Sequence, residues 1–179
     1  MYYKTSYESP IGVLTLAGKD GKLVGLWTEG QKYQAAAIER TMVQQDELPI
    51  FEKTKLWLDR YFAGQNPSLE GLPLAPIGGE FRQSVWSILC EIPYGELSTY
   101  GAIAKRIAKT RGIKKMASQA VGGAVGHNPI SIIIPCHRVV GSNGSLVGYG
   151  GGIATKVKLL ELEGVDPSLY SIPTKGTAL

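Results

Sequence analysis

Apolar and polar positions alternate over the first thirty residues as in a sheet with one covered face. Tyr3, Thr5, Ser6 and Tyr7 precede a Ser9-Pro10 break, Ile11 to Ala17 follow, Gly18-Lys19-Asp20-Gly21 make a turn, and Leu23 to Thr28 resume. Two or three antiparallel strands are predicted. Residues 34–43 read as a short helix and Phe51 to Ala63 as a firmer one, with Phe51, Leu56, Trp57, Leu58, Tyr61 and Phe62 on a broad apolar face that stops at Gly64. Phe81, Val85, Ile88, Leu89 and Ile92 then repeat at helical spacing up to Pro93, and Tyr94-Gly95 turn the chain. Ser98 or Thr99 can cap a helix in which Tyr100, Ile103, Ala104, Ile107 and Ala108 recur at i, i+3, i+4, i+7 and i+8. Past a connector around Gly112, the residues Met116, Ala117, Ala120, Val121 and Ala124 repeat the period up to Gly126. Two short helices about a turn form a helix-turn-helix candidate, a pairing that many helical bundles share.

Ile132-Ile133-Ile134-Pro135 is β-rich, and a last helix runs from Lys156 to Glu163. Together these elements predict an α/β (α+β) protein. The best boundary lies between Gln65 and Gly79, where Pro67, Pro73 and Pro76 accompany Gly71, Gly78 and Gly79. It divides the chain into residues 1–78, 79–168 and a tail, 169–179. A length of 179 residues suits one medium domain or two small ones. The mix of 44 % hydrophobic and 19 % charged residues excludes disorder and fibrous repeats.

Charge separates the halves. Residues 1–96 carry nine basic and twelve acidic side chains, residues 97–179 ten and three. Lys105, Arg106, Lys109, Arg111, Lys114 and Lys115 fall within eleven positions without an Asp or Glu, a block that would attract a polyanion or form a solvated helix face. From Met116 to Thr155 the single charged residue is Arg138 among nine glycines. The densest apolar run there, Ile130 to Ile134, is far shorter than the roughly 20 residues of a membrane span, so no membrane association is expected. Glycine at this density allows backbone to approach a ligand closely. The start of the chain reads as free of a signal peptide, and two cysteines, Cys90 and Cys136, are too few for a disulfide framework. A cytoplasmic setting is expected.

Cys136 follows the isoleucine run and is flanked by His137 and Arg138. A histidine and a guanidinium are neighbours able to favour the thiolate, making Cys136 a nucleophile candidate; a packed, inert cysteine is the alternative. Zinc would need Cys90, Cys136, His127 and His137, whose spacing lacks the usual paired ligands, so no metal or other cofactor is expected.

Asn128-Pro129 through Ile134-Pro135-Cys136-His137-Arg138-Val139-Val140, preceded by Ala120-Val121-Gly122-Gly123-Ala124, resembles the signature of the O6-alkylguanine-DNA alkyltransferases, the methylated-DNA-protein-cysteine methyltransferases. The resemblance extends to Tyr94-Gly95-Glu96, Ser98-Thr99-Tyr100, Tyr149 to Gly152, Leu159-Leu160 and Glu163-Gly164, spanning about residues 80–165. It implies a ribonuclease-H-like N-terminal sheet with helices, and a C-terminal, mostly helical, winged-helix-like domain.

It further implies DNA repair by stoichiometric, irreversible transfer of an alkyl group from O6-alkylguanine, with O4-methylthymine a further candidate substrate, to the protein's own cysteine. Cys136 would be the acceptor, His137 the base acting through a water, and Glu163 the group orienting the imidazole. Asn128 would brace the turn before Cys136, while Tyr100 would crowd the target phosphate and contact the flipped base. Tyr149 and Gly150 would form a lid, the Gly150 amide bonding O6, and the backbone carbonyls of Cys136 and Val139 would accept from the exocyclic amine. Arg138 is grouped with these substrate contacts. The partner would be double-stranded DNA entered through the minor groove by a monomer. Small residues of the second helix, Ser118 among them, suit a groove about 6 Å wide, and Lys114 and Lys115 would meet phosphates. One position departs from the pattern: Gln119 stands where better-known members insert an arginine into the base stack. The competing readings are a lesion-binding module without transfer, a thiol hydrolase, and a transcription regulator.

Overall fold

The computed structural model describes residues 1–31 and 41–174. The helix expected over 34–43 lies mostly outside them, and its described end, Met42 and Val43, is strand. The described residues form two compact units, Met1–Ile77 with Pro129–Ile133, and Gly78–Asn128 with Ile134–Leu179. The short return of residues 129–133 to the first unit is a difference from the single boundary expected.

In the first unit, β1 (Tyr2–Ser9), β2 (Gly12–Lys19), β3 (Lys22–Thr28) and β4 (Met42–Gln44) make a sheet of order β3-β2-β1-β4. β1 is antiparallel to β2 and parallel to β4. Leu14, Leu16, Leu23 and Leu26 are wholly buried, and β3 departs from the expected alternation by being covered continuously from Leu23 to Trp27. Helix α1 (Pro49–Phe62) starts with proline in its first turn, where no N–H is needed. It buries Ile50, Phe51, Thr54, Leu58 and Tyr61. Leu56 departs from the expected apolar face, being 60 % exposed, because the stripe through 50, 54, 58 and 61 turns it outward.

The second unit opens with α2 (Glu80–Leu89), which ends earlier than the apolar repeat suggested. Pro93 disfavours helical backbone just before it, and the N–H groups of Glu91 and Ile92 reach back only three residues, to Ile88 and Leu89. Strand β5 (Ser98–Thr99) pairs in parallel with β6 (Val139–Val140). Thr99 then caps α3 (Tyr100–Arg111), its hydroxyl accepting from the Ala102 N–H at 3.1 Å. All five residues of the expected stripe are buried in α3.

Helix α4 (Ser118–Gly126) buries Val121, Ala124 and Val125, while Ala117 to Ala120 are exposed. Trp86 of α2, buried and overlooked in the sequence pattern, donates its indole N–H to the Ala124 carbonyl at 2.9 Å and so ties α2 to α4. Helix α5 (Ile153–Leu162) completes the unit. Within the described part of the expected tail, residues 169–174, the Ser171 N–H donates to the Gly144 carbonyl and the Ser171 carbonyl accepts from the Leu146 N–H, tying it to this unit.

Trp86→Phe withdraws that indole donor. We expect it to lower stability by about 1–3 kcal/mol, read as a reduced urea midpoint with unchanged m-value.

Candidate active site

Two tight turns deliver the cysteine. The expected strand before Cys136 is absent because Ile132 takes a left-handed φ of 71° and Pro135 sits at φ −81°, ψ 64°. Cys136 therefore begins a 3₁₀ turn, Cys136–Arg138, rather than ending a strand. Its thiol is buried, at 6 % exposure. The Asn128 amide donates to the Ile134 carbonyl at 2.8 Å and to Cys136 Sγ at 3.1 Å. One side chain thus holds both the Ile134 carbonyl before the turn and the sulfur.

Burial pushes the Cys136 thiol up, against the opposing pull of the Asn128 bond, the Lys156 ammonium and the backbone N–H groups of Cys136 and His137. This corrects the expectation that histidine and arginine neighbours favour the thiolate at rest. His137 is itself pushed down by burial, despite Glu163, and is neutral. Arg138 spends its charge on Glu163.

Glu163 caps the end of α5 and is buried. Its Oε1 accepts from His137 Nε2 at 2.6 Å and from Arg138 Nη2 at 3.0 Å. Its Oε2 accepts from Arg138 Nε at 2.8 Å and from the Gly95 N–H at 3.1 Å. These donors hold the carboxyl well below its ordinary 4.5, against the opposing effect of burial. An ionised carboxylate only accepts, so the imidazole proton resides on Nε2 and Nδ1 is the basic nitrogen. Gly95 is required here: its φ is +78°, and a Cβ would lie 3.0 Å from the Glu163 carbonyl oxygen.

Arg138 also donates to the Ile92 carbonyl at 2.6 Å and lies over the Tyr94 ring. Buried and committed to these partners, it is a framework residue; its grouping with substrate contacts is corrected. Lys156 is the residue sequence reasoning missed. Wholly buried, it donates to the Val139 and Val147 carbonyls, and burial brings its pKa down to about 8 while the nearby Cys136 opposes that shift. The Val139 carbonyl is thereby already engaged. A signal was available: Lys156, Leu159, Leu160 and Glu163 share one helical stripe at i, i+3, i+4 and i+7.

Tyr100, buried at the start of α3, donates its hydroxyl to the Val147 carbonyl at 2.7 Å. The glycine loop closes onto it: Gly148 has φ +71°, and a Cβ there would come within 2.9 Å of that hydroxyl. Burial raises the phenols of Tyr149 and Tyr100, and the nearby Cys136 adds to the shift in both. Gly150 follows in the same loop.

Ser118, Gln119, Lys114 and Lys115 are not gathered at the cysteine; all are exposed, on the first turn of α4 and the connector before it. The basic block is weaker than its sequence suggested, because Arg106 pairs with Glu91, and Arg111 with Glu80 at 3.3 Å. Among the described residues no cluster of His, Cys, Asp or Glu is arranged to hold a metal ion, both cysteines are free, and no helix is long and apolar enough to cross a membrane.

Residues 80–165 match the family model for the 6-O-methylguanine DNA methyltransferase DNA binding domain, and residues 1–76 the model for its ribonuclease-like domain. The chain belongs to this family. A methylated-DNA–protein-cysteine methyltransferase of Haemophilus influenzae is 45 % identical over 90 % of this chain and 86 % of its own, and one from Methanosarcina acetivorans is 46 % identical over 92 % and 99 %. The crystal structure of Mycobacterium tuberculosis O6-methylguanine methyltransferase superposes with a TM-score of 0.78 at 41 % identity, covering 94 % of this chain and 96 % of that one. The enzyme of that organism in complex with DNA gives 0.77 at 42 %, covering 94 % of each. The two-part fold seen here is that of the methyltransferase family.

In this methyltransferase, Glu163→Gln leaves the Arg138 charge without its counter-ion, at a cost of about 3–5 kcal/mol near neutral pH. Because the native carboxyl titrates below its ordinary 4.5, its contribution is present above that pH and fades as pH falls further. Urea unfolding should show the variant's deficit shrinking below pH 4.5.

Proposed function

We propose that Cys136 is the alkyl acceptor and that His137, Glu163 and Lys156 govern its ionisation. As a family member the chain is a methylated-DNA–protein-cysteine S-methyltransferase that acts in DNA repair. The observation that carries the assignment is the Asn128-held thiol of Cys136 beside Lys156, followed in the chain by a neutral His137 whose Nε2–H is fixed by Glu163.

His137 Nδ1 takes the thiol proton through an intervening water, and the Lys156 ammonium steadies the thiolate that remains. Sulfur attacks the carbon attached to guanine O6. The S–C bond forms as the C–O6 bond breaks, its electron pair stays with guanine, and the proton held by His137 passes to the released guanine anion, leaving both neutral. The product is restored guanine and a thioether. A thioether does not hydrolyse at neutral pH, so each molecule acts once.

The target lies inside a duplex and must be rotated out of the stack at a cost of a few kcal/mol. The exposed small residues Ala117, Ser118 and Ala120 at the start of α4 suit minor-groove entry, Gln119 occupies the vacated stack, and Lys114 and Lys115 meet phosphates. Tyr100 and the Tyr149–Gly150 loop flank the flipped base. The protein works as a monomer, without cofactor, in a reducing cytoplasmic compartment where both thiols stay free.

Incubation with a duplex carrying O6-methylguanine should add one methyl group to Cys136 by intact mass and peptide mapping, and none to Cys136→Ala; an unmodified Cys136 would overturn the assignment. Gln119 supplies no charge to the stack, so Gln119→Arg should tighten duplex binding and raise the single-turnover rate, measured by fluorescence anisotropy and rapid quench.

A further inference from the structure

The segment between Asn128 and Ile134 is stitched into the first unit. Leu26 of β3 donates its N–H to the Pro129 carbonyl and accepts from the Ser131 N–H, both at 2.8 Å. Beside them lies a buried polar pair a hundred residues apart in sequence. Gln31 Nε2 donates to Ser131 Oγ at 2.9 Å, and Ser131 Oγ donates to Gln31 Oε1 at 3.1 Å. Gln31 is only 9 % exposed and Ser131 3 %. The Gln31 N–H bonds the Thr28 carbonyl at 3.1 Å, which anchors the glutamine to the end of β3.

Immediately after this anchor the chain is strained. Ile132 has φ 71°, and the Ile133 N–H donates to the Ser131 carbonyl at 2.8 Å. Together these define the rare, left-handed form of the γ-turn. A β-branched residue is strained there and persists only when both ends are fixed. The far end is fixed by Asn128 on the Ile134 carbonyl. That carbonyl also receives the Cys136 N–H at 2.8 Å, closing an ordinary inverse γ-turn about Pro135. Only two tight turns therefore separate Ser131 from the sulfur.

We infer that Gln31 and Ser131 are positioning residues for alkyl transfer: their buried pair anchors the strained turn at Ile132, and through the chain it sets where Asn128 holds Cys136. This rests on Cys136 being the acceptor.

The test is single-turnover transfer from an O6-methylguanine duplex by the full chain, comparing wild type with Gln31→Ala, Ser131→Ala and the double variant. The duplex dissociation constant and the pH–rate profile are measured for each. Positioning predicts a rate constant at saturating duplex lowered by about tenfold or more, the scale of loss when reacting groups are misplaced. Duplex affinity stays within about twofold, and the apparent thiol pKa moves upward as the Asn128 bond loosens. The double variant loses no more than either single one. Retained affinity shows that a variant is folded, and Gln31→Ala, at the rim of the buried pair, carries the test if Ser131→Ala does not fold. Unchanged saturating rates, losses explained wholly by weaker duplex binding, or losses that add independently would each overturn the inference. Absence of transfer by the wild type would instead overturn the assignment of Cys136.

Discussion

The sulfur atom proposed to become an anion is held where burial opposes the anion. The Cys136 thiol is almost sealed, and the pull of Asn128, Lys156 and two backbone N–H groups offsets the loss of water only in part. The remainder of the second unit follows from that constraint. A resting thiol is inert toward stray electrophiles, and the groups that would stabilise its ionised form are already in place, so no reorganisation is needed when the proton leaves.

The charges around it are arranged so that each is answered. Glu163 receives four donors, two of them from Arg138, which fixes the imidazole tautomer. Arg138 in turn satisfies the Ile92 carbonyl at the end of α2. Lys156 joins the Val139 carbonyl in β6 to the Val147 carbonyl of the glycine loop. The framework that tunes the thiol is the same one that holds α2, β6, α5 and the loop together. Loss of one member therefore disturbs packing as well as chemistry. The groups proposed to meet DNA stand apart from it, on the exposed first turn of α4 and the connector before it, where side chains can change without unsettling the core.

What could be read from the sequence was what local spacing encodes. The α3 stripe from Tyr100 to Ala108, its Thr99 cap and the Cys136-His137-Arg138 run were legible because their signals lie within a few residues of one another. Lys156 was missed, and Glu163 was reached only through the family resemblance, since a charged side chain is usually outside and their burial depends on partners far away in sequence: Val139 and Val147 for one, Gly95, His137 and Arg138 for the other. Ile132 to Ile134 read as strand because β-branched residues favour strands, but the ties on either side force a left-handed turn that propensity alone forbids. The Gln31–Ser131 pair had no local signature at all. Pairs a hundred residues apart become visible only when the chain is folded.

The proposed chemistry turns on the protonation state of one thiol before DNA arrives. Thiolate ultraviolet absorbance, titrated in Cys90→Ser and corrected for tyrosine ionisation with the Cys90→Ser, Cys136→Ala double variant, measures it directly. The structure predicts a midpoint above the roughly 8.5 of an ordinary cysteine. A midpoint at or below about 7, the range of cysteines ionised by a cationic neighbour, would show that burial does not control this sulfur and would contradict the account.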